Sequence, residues 1–169
     1  IKRHTIPSRN LALAGNFNLV NTEELFGLVN IDPGQFQRQS DLAAMMEVLH
    51  HFLVKADEAF PGHMDVAKVL KKAVPLFDGG FNFCGLIGNG DAFVMRDAHG
   101  IRPSYYYIND DVIVAASERA AIRTAFNVGE NEVKELMPGN ALMVKADGSF
   151  SIEQIVEAKE RKACSFERI

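Results

Sequence analysis

Residues 11–21 read LALAGNFNLVN, and this stretch decides the fold of the chain. The apolar run LALAG is typical of a buried strand. Gly15 and the polar residues from Asn16 to Asn21 predict that the strand ends there in a loop. Because loops at strand ends often carry functional side chains, the stretch predicts a site as well as a strand.

Helical patterns follow the first strand. Asn21 and Glu24 have the spacing of a capping box, which predicts a short helix that Pro33-Gly34 ends. A longer helix is predicted from about Asp41 to Asp57, with an apolar stripe at three-and-four spacing and Ser40 as its N-cap.

A further amphipathic helix is predicted after Pro61-Gly62, ending at Asp78-Gly79-Gly80. The period then changes to short runs that favour β-strands and are separated by turn residues. These runs are FNFCGLI, DAFVMRD, SYYYI, DVIVAAS, NALMVKA and SFSIEQI. Only one helix, Arg119 to Phe126, interrupts them. The order predicts an α+β fold with antiparallel hairpins and not alternating βαβ units.

Composition excludes several classes of protein. The chain has 169 residues, 47% of them hydrophobic, which is typical of one soluble folded domain. A net charge of −4 and a pI near 5.7 argue against nucleic-acid binding. Neither a polybasic patch nor a run long enough to span a bilayer is visible, so no membrane partner is expected. Two distant cysteines indicate a reducing compartment, and we expect a cytoplasmic protein.

Several short segments, in order, carry a family resemblance. They are AGNFNLVN at 14–21, QSD at 39–41, RDAHGIRP at 96–103, ASE at 116–118, MPG at 137–139 and CSFERI at 164–169. Each is weak alone, but together they resemble the glutaminase domain of the amidophosphoribosyltransferase family, a class II glutamine amidotransferase. The resemblance implies an N-terminal-nucleophile (Ntn) hydrolase fold, an αββα sandwich of two antiparallel sheets between helix layers, here incomplete at its N-terminus.

The resemblance also assigns roles to three residues. Asn16 and the backbone N–H of Phe17 match the family's oxyanion hole, which needs fixed donors aimed at the tetrahedral oxygen of amide hydrolysis. Asp41 matches the acid that binds the α-ammonium of glutamine. Without the resemblance, Asn16 would be read as a turn residue and Asp41 as a first-turn acid favoured by the helix dipole. Phe17 replaces the family's usual Gly, which brings bulk and disfavours a positive φ.

Other polar residues receive structural interpretations. His99, Arg102 and Glu118 lie in predicted turns or at a helix start, where structural roles are the commoner ones. His50 and His51 are adjacent on a helix, so they cannot face one metal ion, and a solvated face is expected. Cys84 is expected to be a small buried hydrophobe.

The resemblance implies parts that these residues do not include. Its nucleophile is an N-terminal cysteine, whereas residue one is Ile1, so we expect a fragment that is inactive alone. We assign 1–157 to a partial amidotransferase domain and 158–169 to a linker toward an absent phosphoribosyltransferase domain. Glutamine is the expected substrate, and no cofactor is expected in this chain. Phosphoribosyl pyrophosphate and Mg²⁺ would bind the absent domain, and the parent is expected to be a homo-oligomer in purine nucleotide biosynthesis.

Two alternatives stay open. The chain could be the glutaminase domain of another amidotransferase, of the glucosamine-phosphate synthase or asparagine synthetase type, although RDAHGIRP and CSFERI favour the phosphoribosyl branch. It could also be a non-catalytic regulatory module of the same fold, for which Phe17 and the missing nucleophile are the arguments. An N-terminal cysteine upstream in the complete gene would distinguish an enzyme from such a module.

Overall fold

A computed structural model describes residues 1–30 and 40–165 of the chain. The helices are α1 Thr22–Leu28, α2 Asp41–Ala59, α3 Val66–Ala73 and α4 Arg119–Phe126. The strands are β1 Leu11–Leu19, β2 Gly79–Ile87, β3 Ala92–Arg96, β4 Tyr105–Ile108, β5 Ile113–Ala116, β6 Lys134–Glu135, β7 Asn140–Val144 and β8 Phe150–Gln154. Short 3₁₀ turns occupy Pro7–Arg9, Val74–Leu76 and Glu130–Glu132. The predicted Pro33-Gly34 break and Gln39 lie outside the described residues.

The main core lies between the first three helices and a large antiparallel sheet. This sheet has the order β1-β2-β3-β7-β8 within the described residues. Helix α2 begins where Ser40 accepts a hydrogen bond from the Ala43 N–H, as predicted, and its stripe of Met45, Leu49 and Leu53 is almost fully buried. Helix α3 packs beside α2, with Asp65 accepting from the Ala67 and Lys68 N–H groups at its start.

A smaller antiparallel sheet of order β5-β4-β6 forms the next layer, with α4 packed on it. Residues of β5 line cavities together with β1, β2 and β3, so the two sheets face each other. The layers therefore run helices, large sheet, small sheet, helix. This confirms the predicted α+β sandwich of two antiparallel sheets between helix layers.

The first strand is longer than predicted. The sequence suggests that it ends at Gly15, but β1 continues to Leu19 and pairs with β2 without a bulge, from Leu11↔Ile87 to Leu19↔Gly79. Polar residues are tolerated in the extension because alternate side chains there face the gap between the sheets. Asn16 and Phe17 are therefore strand residues and not loop residues.

Two turn predictions are also corrected. Asn21 precedes α1 but does not cap it with its side chain. Instead, the side-chain amide of Asn21 donates to Leu76 O and accepts from the Asp78 N–H. These hydrogen bonds connect the end of β1 to the segment just before β2. Gly79 and Gly80, predicted to end a helix, begin β2 instead, because pairing with β1 overrides their turn preference.

The RDAHGIRP segment joins the two sheets. Arg96, 1% exposed, donates to Glu135 Oε1 at 2.7 Å, Leu136 O at 2.6 Å, Gly100 O at 3.1 Å and Arg102 O at 2.8 Å.

The RDAHGIRP segment also accepts hydrogen bonds from residues near the C-terminus. Lys159, Lys162 and Cys164 donate backbone N–H groups to Ala98, His99 and Ile101 carbonyls. Part of the predicted 158–169 linker thus packs on the domain, while residues 166–169 lie outside the described residues.

In the part of the chain that the structure describes, no helix is long and apolar enough to cross a membrane.

Candidate functional site

An open cavity of about 270 Å³ lies between the two sheets. Its floor comes from the middle of β1 and β2, and its roof from the end of β5 and the segment before β4. The polar side chains that line it are those of Asn16, Asn82, Cys84, Ser104 and Ser117. The cavity is therefore apolar on most of its wall, with a few polar groups that could orient a small ligand.

Asn16 projects into this cavity. It lies directly opposite Asn82 in the β1–β2 register, and both side chains line the cavity. Opposed residues of an antiparallel pair point to the same face, with Cβ atoms about 4.5–5.5 Å apart. The two carboxamide groups therefore stand side by side at the cavity floor.

Phe17 points the other way. Its ring packs with the core behind the large sheet and lies 6.3 Å from the Phe83 ring between centroids. Its backbone is extended within β1 and not in the left-handed region. The bulk that replaces a glycine is thus accommodated on the core side, away from Asn16.

The direction of the Phe17 N–H follows from its neighbours. The Val20 N–H donates to Asp78 O, on the side of β2, whereas the Leu11 and Leu19 N–H groups donate to Lys2 O and Asp41 Oδ2, on the opposite side. N–H directions alternate along a regular strand. Phe17 is an even number of residues from Leu11 and Leu19, so its N–H points to the outer edge of β1 and not into the β1–β2 ladder.

Asp41 lies at that same outer edge. It is the first residue of α2, and its Oδ2 accepts the Leu19 N–H at 3.0 Å. Leu19 N is two residues from Phe17 N, or about 7 Å along a strand. The structure thus brings the three predicted site residues to one stretch of β1, with Asn16 facing the cavity and Asp41 and the Phe17 N–H at the edge.

The sequence patterns did not identify two of the polar residues that line the cavity. Asn82 donates an N–H of Nδ2 to Pro103 O at 2.7 Å, and its Oδ1 is buried. Ser104 is fully buried, and so is its Oγ. Neither Asn82 Oδ1 nor Ser104 Oγ has a hydrogen-bond partner among the described residues. Alternation with the core residues Phe81 and Phe83 could have placed Asn82 on the other face, but its pairing with Asn16 spans helices α1, α2 and α3.

The expectation for Cys84 is wrong. The residue is exposed and lines the cavity, because it alternates with the buried Phe83 on β2. The described residues that line the cavity include no His, Lys, Asp or Glu. Cys84 therefore has no base there to activate its thiol.

The residues interpreted as structural occupy structural positions. Asp97, almost fully buried, accepts the His99, Ile101 and Arg102 backbone N–H groups and so shapes the RDAHGIRP turn. Glu118 is the exposed residue that precedes α4. The described residues contain no cluster of His, Cys, Asp or Glu that could hold a metal ion.

The expectation of a solvated histidine pair is wrong for His50. Its Nε2 lies 3.1 Å from Arg9 O, in a half-buried position. Burial, followed by the nearby charge of Lys2, lowers the pKa of His50. Burial and the charge of Lys55 also lower the pKa of His51. Both rings thus favour the neutral form, away from the cavity between the sheets.

Comparisons with known proteins agree with this architecture. A family model described as a glutamine amidotransferase domain matches residues 4–124. An amidophosphoribosyltransferase of Bacillus subtilis is 30% identical over 160 residues, 95% of this chain and 31% of that protein. The amidophosphoribosyltransferase of Archaeoglobus fulgidus is 28% identical over 94% of the chain and 32% of its own length.

Solved structures give the same result. The glutamine phosphoribosylpyrophosphate amidotransferase of B. subtilis, complexed with ADP and GMP, superposes with a TM-score of 0.67 at 26% identity, over 93% of this chain and 31% of that one. A structure described as the allosteric regulatory enzyme of purine biosynthesis gives a TM-score of 0.69 at 25% identity over the same shares. The chain spans about a third of the length of these relatives. With most of its residues matched by the family model, the chain belongs to the glutamine amidotransferase domain family.

Proposed function

We propose that this chain forms part of the glutamine-hydrolysing half of an amidophosphoribosyltransferase. The observation that carries the proposal is that Asp41, at the start of α2, is bonded to β1 beside Asn16 and Phe17. Two segments that are separated in sequence thus meet at one place, and each of the three residues matches a role expected for glutamine chemistry. Similarity to enzymes named amidophosphoribosyltransferase supports the same activity.

Asn16 and Phe17 are proposed to stabilise the oxyanion. Attack on the side-chain amide of glutamine places negative charge on its oxygen, and fixed N–H donors lower the free energy of that state. The Asn16 side chain supplies one donor from the cavity floor, and the Phe17 backbone N–H supplies another at the strand edge. Because β1 pairs regularly with β2 around these residues, the backbone that carries both donors is fixed before the substrate arrives.

Asp41 is proposed to bind the α-ammonium of glutamine. Its Oδ2 accepts the Leu19 N–H, and a carboxylate has a second oxygen that can accept from an ammonium. Asp41 is thus held beside Leu19, about 7 Å along β1 from the Phe17 N–H, a distance comparable to the length of an extended glutamine side chain. Binding the ammonium at this distance would place the amide at the oxyanion donors.

The remaining steps are proposed for the whole protein. An N-terminal cysteine, implied by the resemblance, would attack the amide to give a thioester and release ammonia. Water would then hydrolyse the thioester to glutamate and free the cysteine. The ammonia would displace pyrophosphate from phosphoribosyl pyrophosphate, bound with Mg²⁺ in another domain, to give 5-phosphoribosylamine for purine nucleotide synthesis. Cytoplasmic location and assembly into a homo-oligomer belong to the same proposal.

Replacement of Asn16 tests the oxyanion role. In protein expressed from its complete gene, Asn16→Ala should lower kcat for glutamate release from glutamine by roughly 10²–10³-fold, the usual effect of losing one oxyanion donor. Asn131→Ala, at an exposed turn, is the matched control and should leave kcat unchanged. A wild-type protein that releases no glutamate, or an Asn16→Ala variant with normal kcat, would contradict the proposed function.

Replacement of Asp41 tests substrate binding separately. Asp41→Asn keeps an oxygen that can accept the Leu19 N–H but removes the charge that would pair with the ammonium. A hydrogen bond to a charged group contributes about 1.5–3 kcal/mol, so KM for glutamine should rise by roughly 10- to 100-fold. Glutaramic acid, which lacks the α-ammonium, should be used equally by both proteins. Equal KM values for glutamine would exclude the assigned role.

A further inference from the structure

Asn82 and Ser104 leave hydrogen-bonding capacity unused inside the cavity. The Nδ2 of Asn82 is committed to Pro103 O at 2.7 Å, and because a carbonyl can only accept, this bond fixes which end of the amide carries the oxygen. Oδ1 is therefore an acceptor that is buried and without a partner among the described residues. Buried polar groups are rarely left unsatisfied, since this costs desolvation free energy.

Ser104 shows the same property independently. It is fully buried, and its Oγ has no partner in the part of the chain that the structure describes, yet it lines the same cavity. It stands on the segment before β4, across the cavity from the floor made by β1 and β2. Two buried groups without partners among the described residues, from separate elements, thus lie in the wall of the cavity that Asn16 also lines.

We propose that Asn82 and Ser104 hold the N–H groups of the substrate carboxamide while Asn16 holds its oxygen. A primary carboxamide presents one acceptor oxygen and two N–H donors. Asn16 offers donors, and Asn82 Oδ1, next to it across the β1–β2 pair, offers an acceptor. Ser104 Oγ supplies a second acceptor. The inference rests on the proposed glutamine chemistry and adds residues that position the leaving nitrogen.

This arrangement also gives selectivity for an amide over an acid. Glutamate carries a carboxylate in place of the carboxamide and has no side-chain N–H to donate. Asn82 Oδ1 then faces another acceptor instead of a donor, and a site built to bond an N–H rejects a ligand that lacks one. Asn82 should therefore contribute to the binding of glutamine and little to that of glutamate. The Ser104 hydroxyl can accept from an amide N–H but can also donate to a carboxylate, so it adds affinity without this selectivity.

Ser104→Ala is the most direct test. The Oγ has no partner in the described part of the protein, so its removal should leave the melting temperature unchanged or slightly higher. In protein expressed from its complete gene, kcat/KM for glutamine should fall roughly tenfold. The inhibition constant of glutamate should change less than twofold in Asn82→Ala, because a carboxylate cannot bond the acceptor that this variant removes. Ser151→Ala, on β8, is the control and should alter neither constant.

Asn82→Ala should also lower kcat/KM for glutamine relative to the affinity for glutamate as an inhibitor, and this ratio measures selectivity. It also loses the bond to Pro103 O, so a lower melting temperature is expected for this variant alone. A wild-type kcat/KM in Ser104→Ala together with a wild-type ratio in Asn82→Ala would overturn the inference. If these values stay normal while Asn16→Ala and Asp41→Asn impair turnover, only this inference fails. If the wild type does not hydrolyse glutamine, the proposed function fails first.

Discussion

At the scale of single residues, burial and partners distinguish functional from structural polar groups. Arg96 and Asn82 both lie on paired strands and both approach the gap between the sheets. The guanidinium of Arg96 donates four hydrogen bonds, to one carboxylate and three carbonyls, whereas Asn82 Oδ1 has no partner among the described residues. We therefore assign Arg96 to stability and propose a binding role for Asn82.

Arg96→Met should strongly destabilise the fold. The change removes the charge that pairs with Glu135 at 2.7 Å and leaves three buried carbonyls without their donor. Glu135 keeps its bond to Arg161, so the cost comes chiefly from the carbonyls, at about 1–3 kcal/mol in free energy of unfolding for each buried group left unsatisfied. Urea denaturation should show a lower midpoint with an unchanged slope.

A matched control for Arg96 is provided by an exposed arginine. Arg123 lies 3.9 Å from Glu130 with both side chains largely in solvent. Arg123→Met should change the free energy of unfolding by no more than about 1 kcal/mol. Similar losses in the two variants would show that the Arg96 network does not stabilise the junction between the sheets.

At the scale of elements, the pairing of β1 with β2 positions the candidate site, and Gly15 permits it. A Cβ on Gly15 would lie 2.4 Å from Asn82 O and 2.7 Å from the Phe83 Cα. Both contacts are with backbone atoms, which cannot rotate away. Gly15 thus allows the close approach of the two strands beside Asn16 and Asn82.

Gly15→Ala and Gly27→Ala should have opposite effects on stability. In β1, the added methyl group should cost about 1–3 kcal/mol through overpacking and should raise KM for glutamine by displacing Asn16. A Cβ on Gly27, in α1, would meet no described atom within 4 Å, so alanine there should stabilise by about 0.5–1 kcal/mol. Thermal unfolding of both variants measures the contrast, and equal shifts would contradict the packing argument.

Sequence patterns could predict the elements that are determined locally. Ser40 and the stripe after Asp41 give α2, and the Asn89-Gly90 turn gives the β2–β3 hairpin, with Asp91 N–H bonded to the Asn89 side chain. Non-local pairing could not be predicted in this way. The extension of β1 to Leu19 depends on pairing with β2, which lies beyond α1, α2 and α3 in sequence. The exposure of Cys84 and the placing of Asn16 opposite Asn82 depend on the same pairing.

At the scale of the whole molecule, three titrating groups connect separate parts of the fold. Hydrogen bonds from Arg9 and Ser8 lower the pKa of Asp57, which lies on α2. The same two hydrogen bonds connect the N-terminal segment to α2. Burial opposes ionisation of Glu135, but hydrogen bonds and charges from Arg96 and Arg161 outweigh it and lower its pKa. His50, on α2, has a lowered pKa chiefly because of burial.

Stability should therefore fall in two steps as the pH decreases. His50 has a folded pKa below its unfolded value near ~6.5, so its stabilising contribution is complete above that pH and is lost as the pH falls toward the folded value. Asp57 and Glu135 likewise stabilise above their unfolded values of about 3.9 and 4.3, and this is lost as the pH falls through their lower folded pKa values. The melting temperature should decline below about pH 6.5 and again, more steeply, below about pH 4.

Single variants can show which ionisable group causes each decline in melting temperature. His50→Gln, which retains a side-chain N–H that can donate to Arg9 O, should remove most of the first decline, with His51 accounting for the remainder. Asp57→Asn should lower stability at neutral pH and weaken the second decline, because the carboxylate that must be protonated is gone. Asp110→Asn, at an exposed turn, controls for the loss of one negative charge. A melting temperature that is constant from pH 7 to 3 would contradict the coupling of these parts of the fold through ionised groups.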